Sequence, residues 1–120
     1  MRLKFFEIAK KLIKYSDHHQ HNIGSVVVNK NRIVSLGYNI LKTHRHSPHP
    51  FKSSHSEFRA IWGVDPKDLR GASIYVYRQR KNGELGLAKP CESCYSLIKS
   101  VGIKKIYYTD YDGYKVEEVQ

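Results

Sequence analysis

Cysteine is almost absent from this sequence, and the two that occur, Cys91 and Cys94, are separated by only two residues. A disulfide closing so small a loop would do little for an extracellular fold. In a reducing compartment the same spacing signals metal binding or redox chemistry. Long apolar runs are missing too, and none approaches the roughly 20 residues needed to cross a bilayer. Arg2, Lys4, Lys10 and Lys11 punctuate the start, with no small-residue cleavage site after them. These features read as a cytoplasmic protein without a membrane span. Acidic residues are scarce: 11 Asp and Glu against 21 Lys and Arg leave a net charge of +10. That excess favours anionic partners such as nucleotides, nucleic acid or phosphorylated metabolites, or it only keeps a small domain soluble. Internal repeats and low-complexity tracts are lacking. What remains is 120 residues, 40% of them hydrophobic, which suits one domain spanning 1–120 and excludes a disordered chain.

Hydrophobic spacing places the elements. Phe5, Ile8, Leu12 and Tyr15, broadened by Phe6, Ala9 and Ile13, predict an amphipathic helix over residues 3–15. A polar stretch, Ser16 to Asn22, carries His18, His19 and His21. Two β-branched runs, Ile23–Val28 and Arg32–Leu36, flank Asn29-Lys30-Asn31, a hairpin signature. Gly37-Tyr38-Asn39 then leads into a basic, histidine-rich loop, 42–52. A second helix is expected from Ser53 or Ser54, with Phe58, Ile61 and Trp62 inward, ending by Gly63 or before Pro66. A third strand follows around Ile74 and Val76. The loop Asn82 to Gly86 leads to Pro90-Cys91-Glu92-Ser93-Cys94, and a third helix runs to Val101 with Gly102 as its stop. Strands at Ile103–Thr109 and Lys115–Val119 complete the series. Helices interspersed with strands in this way predict an α/β sandwich around a single sheet of four to five strands.

The chemistry concentrates in His55-Ser56-Glu57 and in Pro90-Cys91-Glu92-Ser93-Cys94, with 33 residues (58 to 90) between Glu57 and Cys91. That interval holds one helix, one strand and a loop, so both segments can open helices whose N-termini meet over the sheet. One imidazole and two thiolates form a tetrahedral zinc site with a position left for water. A helix N-terminus helps to stabilise the thiolates. Zinc lowers the pKa of bound water towards roughly 7. Glu57, two residues after His55, can move that water's proton without ligating the metal. Other readings are a thioredoxin-like redox pair at Cys91 and Cys94, or a structural zinc closed by a histidine from His44, His46 and His49. A plain helix start at His55 and Glu57 is a third.

His-x-Glu followed by Pro-Cys-x-x-Cys resembles the signature of the zinc-dependent cytidine and deoxycytidylate deaminase superfamily. The resemblance extends from about Ile23 to Thr109 and implies a three-layer α/β/α sandwich with a mixed sheet. It implies one Zn2+ per chain on His55, Cys91 and Cys94, with Glu57 as the catalytic proton shuttle. The implied activity is hydrolysis of an amidine C–N bond: water adds to the amine-bearing ring carbon and ammonia leaves. Gly37-Tyr38-Asn39 resembles the family's Gly-x-Asn, which makes Asn39 a substrate-binding candidate. Relatives also imply a homo-oligomer.

Departures from the family pattern narrow the substrate. Leu41 stands where free-nucleoside cytidine deaminases carry a glutamate for the ribose, and His55 stands where they use cysteine. Ser56 replaces a common alanine, a small change. The chain therefore resembles the deoxycytidylate, base and tRNA-editing branches. Arg45, with Lys42 or Lys52, is a candidate phosphate ligand. Tyr111, with Tyr108 and Tyr114 as alternatives, is a candidate to stack on the base, and Arg78 and Arg80 line a phosphate path or lie exposed at the end of their strand. The expected function is deamination of a cytosine-bearing nucleotide or nucleoside, dCMP-like first. Deamination of cytosine or adenine within RNA or single-stranded DNA stays open, as does a non-catalytic zinc-binding module.

Overall fold

Side-chain alternation along residues 73–80 sets the architecture. The computed structural model describes residues 3–15, 21–38, 60–61, 63–80 and 83–119, the side chains of 15 and 21 apart. Within them, Ile74 and Val76 belong to one buried cluster and Tyr75 and Tyr77 to another. A strand apolar on both faces must be covered on both, because successive side chains project to opposite sides.

The elements follow in the order α1 (Leu3–Leu12) with a 3-10 turn (Ile13–Tyr15), β1 (His21–Asn29), β2 (Arg32–Tyr38), α2 (Pro66–Leu69), β3 (Ser73–Arg80), α3 (Glu92–Ser100), β4 (Lys105–Asp110) and β5 (Gly113–Glu118). The five strands form one sheet in the order β2-β1-β3-β4-β5. Only β3 and β4 are parallel, and every other neighbour is antiparallel. The sheet is mixed and five-stranded, as expected. The β1–β2 hairpin turns on Lys30 and Asn31, with φ of 52° and 64°. Positive φ at both centre positions is what a two-residue turn needs to follow the strand twist.

One difference from expectation lies at Pro66. It starts the short helix α2 rather than merely closing the one before it. The Asp65 carboxylate accepts the Lys67 N–H at 3.0 Å, and a proline at the first helical position loses no hydrogen bond. The helix expected from Ser53 lies outside the described residues except for Ala60 and Ile61, which are helical and buried.

The two faces have different fillings. On one, Ile98 of α3, with Ala60, Ile61, Leu69 and Ile103, packs on Val27, Ile74, Val76 and Ile106. On the other, α1 supplies Phe5, Phe6, Ala9 and Leu12 against Val26, Val28, Tyr75 and Tyr77. Full burial of each such side chain contributes about 1.5–3 kcal/mol. The α1 face is aromatic: Phe6 meets Tyr75 edge-on at 5.1 Å, and Tyr75 stacks on Tyr107 at 4.4 Å. Burial, with Tyr114 and Glu7 nearby, pushes the Tyr77 hydroxyl above its ordinary pKa.

Helix α1 can approach the sheet because β1 carries a glycine beneath it. A Cβ on Gly24 would collide with the Ala9 carbonyl oxygen and stand 3.2 Å from the Leu12 Cβ. Gly24→Ala should therefore lower stability by about 1–3 kcal/mol through overpacking, measured as a fall in the denaturant midpoint. An unchanged midpoint would show that α1 lifts without cost.

Candidate functional site

Beyond Val76 and Tyr108, the last paired residues of the parallel strands, β3 and β4 part. A strand end that loses its neighbour leaves backbone N–H and C=O groups to satisfy, and the returning chain supplies the partners. Arg80 N–H donates to Glu84 O at 2.8 Å, and Gly86 N–H donates to Arg78 O at 2.9 Å. Gln79 and Leu85 form an antiparallel bridge. Of the glycine-containing loop expected over 82–86, the described residues 83–86 run back along β3.

Thr109, fully buried on β4, ties the return to both strands. Its hydroxyl accepts the Arg78 N–H at 3.1 Å and donates to Gly86 O at 2.8 Å. Its carbonyl accepts the Ala88 N–H at 2.8 Å. Two arginines complete the arrangement. Arg78 Nη1 donates to Leu87 O at 2.9 Å, and Arg80 Nε donates to Leu85 O at 3.0 Å. Arg80 also meets the Glu84 carboxylate at 2.9 Å. The sequence placed Arg78 and Arg80 on one strand face, lining a phosphate path or exposed at the strand end, and the structure directs both, partly exposed, at backbone carbonyls of 85–87. Neither this role nor that of Thr109 was legible beforehand. A hydroxyl residue at a strand end was the only available signal.

The return delivers Pro90, buried, and then Cys91 at the N-cap of α3. The Cys91 carbonyl accepts the Tyr95 N–H at 2.8 Å, the first bond of the helix. Cys91 is exposed, Cys94 in the first turn is fully buried, and both are thiols outside any disulfide. The N-cap and the third helical residue are the two positions whose side chains reach across the first turn in a capping box, so the spacing brings both sulfurs to the helix start. The far end of α3 lies at the amino ends of β3 and β4, where Gly71 N–H donates to Gly102 O at 2.8 Å. The cysteines therefore stand at the carboxyl ends of the parallel pair, where open α/β sheets bind ligands.

Two sulfurs from one helix start suit zinc. His55, Glu57, Asn39, Arg45 and the basic loop 42–52 lie outside the described residues. Among the described residues, no group of three or more His, Cys, Asp or Glu side chains gathers as a metal cluster. Of the tyrosines, Tyr108 packs on the α3-side core and Tyr114 on Phe6. Tyr111, in the β4–β5 turn, is 59% exposed with the Arg80 guanidinium 5.1 Å from its ring centre.

Residues 1–110 match the family described as the cytidine and deoxycytidylate deaminase zinc-binding region. The chain belongs to this family. It is 28% identical over 125 aligned positions to the deoxycytidylate deaminase of Mycobacterium phage D29, covering 87% of this chain and 90% of that protein. An uncharacterized deaminase in the luxG 3′ region of Aliivibrio fischeri is 29% identical, over 87% of this chain and 69% of that one. In fold, it is similar to the crystal structure of cytidine deaminase from Burkholderia pseudomallei, with a TM-score of 0.72 at 16% identity, covering 99% and 93% of the two chains. The three-layer α/β/α architecture expected of a deaminase-family member is thus the one observed.

Gly86 lies between the two arginines, where an added Cβ would sit 3.1 Å from carbons of both. Gly86→Ala should lower stability by about 1–3 kcal/mol, and by measurably less in an Arg80→Ala background. Equal losses in both backgrounds, read from denaturant midpoints, would refute this packing account.

Proposed function

We propose that this chain is a zinc-dependent hydrolytic deaminase that converts a cytosine-bearing nucleotide, dCMP-like, to its uracil form with release of ammonia. The observation carrying this reading is the thiol pair at the start of α3, at the carboxyl ends of β3 and β4, in a chain of the deaminase family. Likeness to the D29 deoxycytidylate deaminase over 90% of its length supports the nucleotide choice.

His55, Cys91 and Cys94 would hold one zinc ion, which supplies a water acidified to near neutrality. Glu57 takes one proton of the attacking water and passes it to the ring nitrogen, which keeps it, then carries the remaining proton of the added hydroxyl to the amine, which departs as ammonia. Asn39 orients the base or sugar. Arg45 holds the phosphate, in keeping with the net charge of +10. Tyr111, whose ring is exposed, stacks on the base. We assign the protein to the cytoplasm, where thiols stay reduced. No helix among the described residues is long and apolar enough to cross a membrane. The proposal includes the homo-oligomer expected from the resemblance and a single domain over 1–120.

A second reading, deamination within RNA or single-stranded DNA, draws on the exposed Tyr111 beside Arg80 and on the positive charge. Ammonia release from dCMP, cytidine, cytosine and guanine, compared with conversion in oligonucleotides, separates the two. We expect dCMP to be the best substrate. Oligonucleotide conversion without mononucleotide turnover would replace the first reading with the second, and a zinc-loaded protein inert on all of them would remove both. Glu57→Ala should retain stoichiometric zinc and lose roughly 10²–10⁴-fold in turnover. Unchanged turnover would eliminate Glu57 as the shuttle. Cys91→Ser should lose zinc by metal analysis.

A further inference from the structure

The geometry points to Thr109 and Arg78 as positioning residues for the Cys91–Cys94 pair, an inference that rests on the metal site proposed above. Residues 86–88, shortly before Cys91, are held at successive backbone atoms. Thr109 takes Gly86 O through its hydroxyl and the Ala88 N–H through its carbonyl, and Arg78 takes Leu87 O. Lys89 adds an ion pair to Glu117 of β5 at 3.3 Å, exposed and therefore of small energetic weight. Every residue from 86 to 89 is thus tied to a strand, and Pro90 and Cys91 follow directly. Cys91 caps α3 in an extended conformation, φ −67° and ψ 169°. The sulfur position therefore depends on where the return leaves the sheet as much as on the helix itself.

The Thr109 hydroxyl is the member that nothing else can replace. It is buried, accepts from β3 and donates to the return at once. An isosteric valine would leave a strand N–H and a loop carbonyl unsatisfied together, and the return would move to recover water or another donor. Removing a group hydrogen-bonded directly to a metal ligand typically changes metal affinity by roughly 10–100-fold, and Thr109, which acts through the backbone before Cys91, should reach that range at most.

The test uses the full chain. Zinc affinity is measured by competition with a chromogenic chelator, and thiolate ligation by the sulfur-to-metal absorption of the Co(II)-loaded protein. Thr109→Val should keep a native circular dichroism spectrum, lose roughly 10–100-fold in zinc affinity, and show an altered Co(II) spectrum. Thr109→Ser, which keeps the hydroxyl, should restore both. Gly24→Ala, weakened on the opposite face of the sheet, should keep wild-type affinity. A folded Thr109→Val with wild-type zinc affinity and Co(II) spectrum overturns the proposal, as does an equal loss in Gly24→Ala. If Thr109→Val does not fold, Arg78→Lys, which removes the directed contact to Leu87 O, carries the same comparison. If wild type itself takes up neither metal, the metal site fails, and the positioning role is judged separately in the metal-free protein. There, alkylation of the buried Cys94 should be about tenfold faster in Thr109→Val than in Gly24→Ala. Equal rates overturn it.

Discussion

The parting of β3 from β4 is the constraint on which the candidate site depends. Parallel strands that diverge leave backbone groups without partners, and a buried unpaired amide or carbonyl costs about 1–3 kcal/mol. The chain meets that cost by folding 83–88 back along β3 and bridging the gap with a threonine hydroxyl. The parting of the strands and the ordering of the segment that leads to the cysteines are consequently one event. A sheet paired to its ends would have no gap at which α3 could start, and a gap without Thr109 would have no defined wall.

The two faces of the sheet divide the work. The α3 face is built from Ile, Val, Leu and Ala, short stiff side chains that hold the helix start at a fixed height above the strand ends. The α1 face uses Phe5, Phe6, Tyr75, Tyr77 and Tyr107, larger rings that fill the layer beneath α1. Gly24 allows α1 to lie against β1. The central strand β3 receives both layers, so its position, and with it the origin of the return to Cys91, is set from either side.

The abundance of Lys and Arg has two separate consequences. Arg78 and Arg80 act through geometry, their planar guanidinium groups directed at carbonyl oxygens of a loop that a lysine would hold less well. Most other cations among the described residues, such as Lys4, Lys10 and Lys11 of α1, are exposed and contribute to the overall field. Net charge alone does not distinguish these roles.

The sequence by itself determined most of the described elements and their order. Periodicity found α1, the β1–β2 hairpin, α3 and the last strands to within a few residues, because apolar spacing and turn residues are local properties. Pairing His-x-Glu with Pro-Cys-x-x-Cys pointed to the deaminase family, since a ligand set is a pattern of residue types. Tertiary structure alone decided that Pro66 opens a helix, that Arg78 and Arg80 serve the return loop, that Tyr111 is exposed, and that Thr109 joins two strands to the approach to Cys91. Those facts depend on which backbone groups are left unpaired when strands far apart in the chain come together, and no local pattern records that.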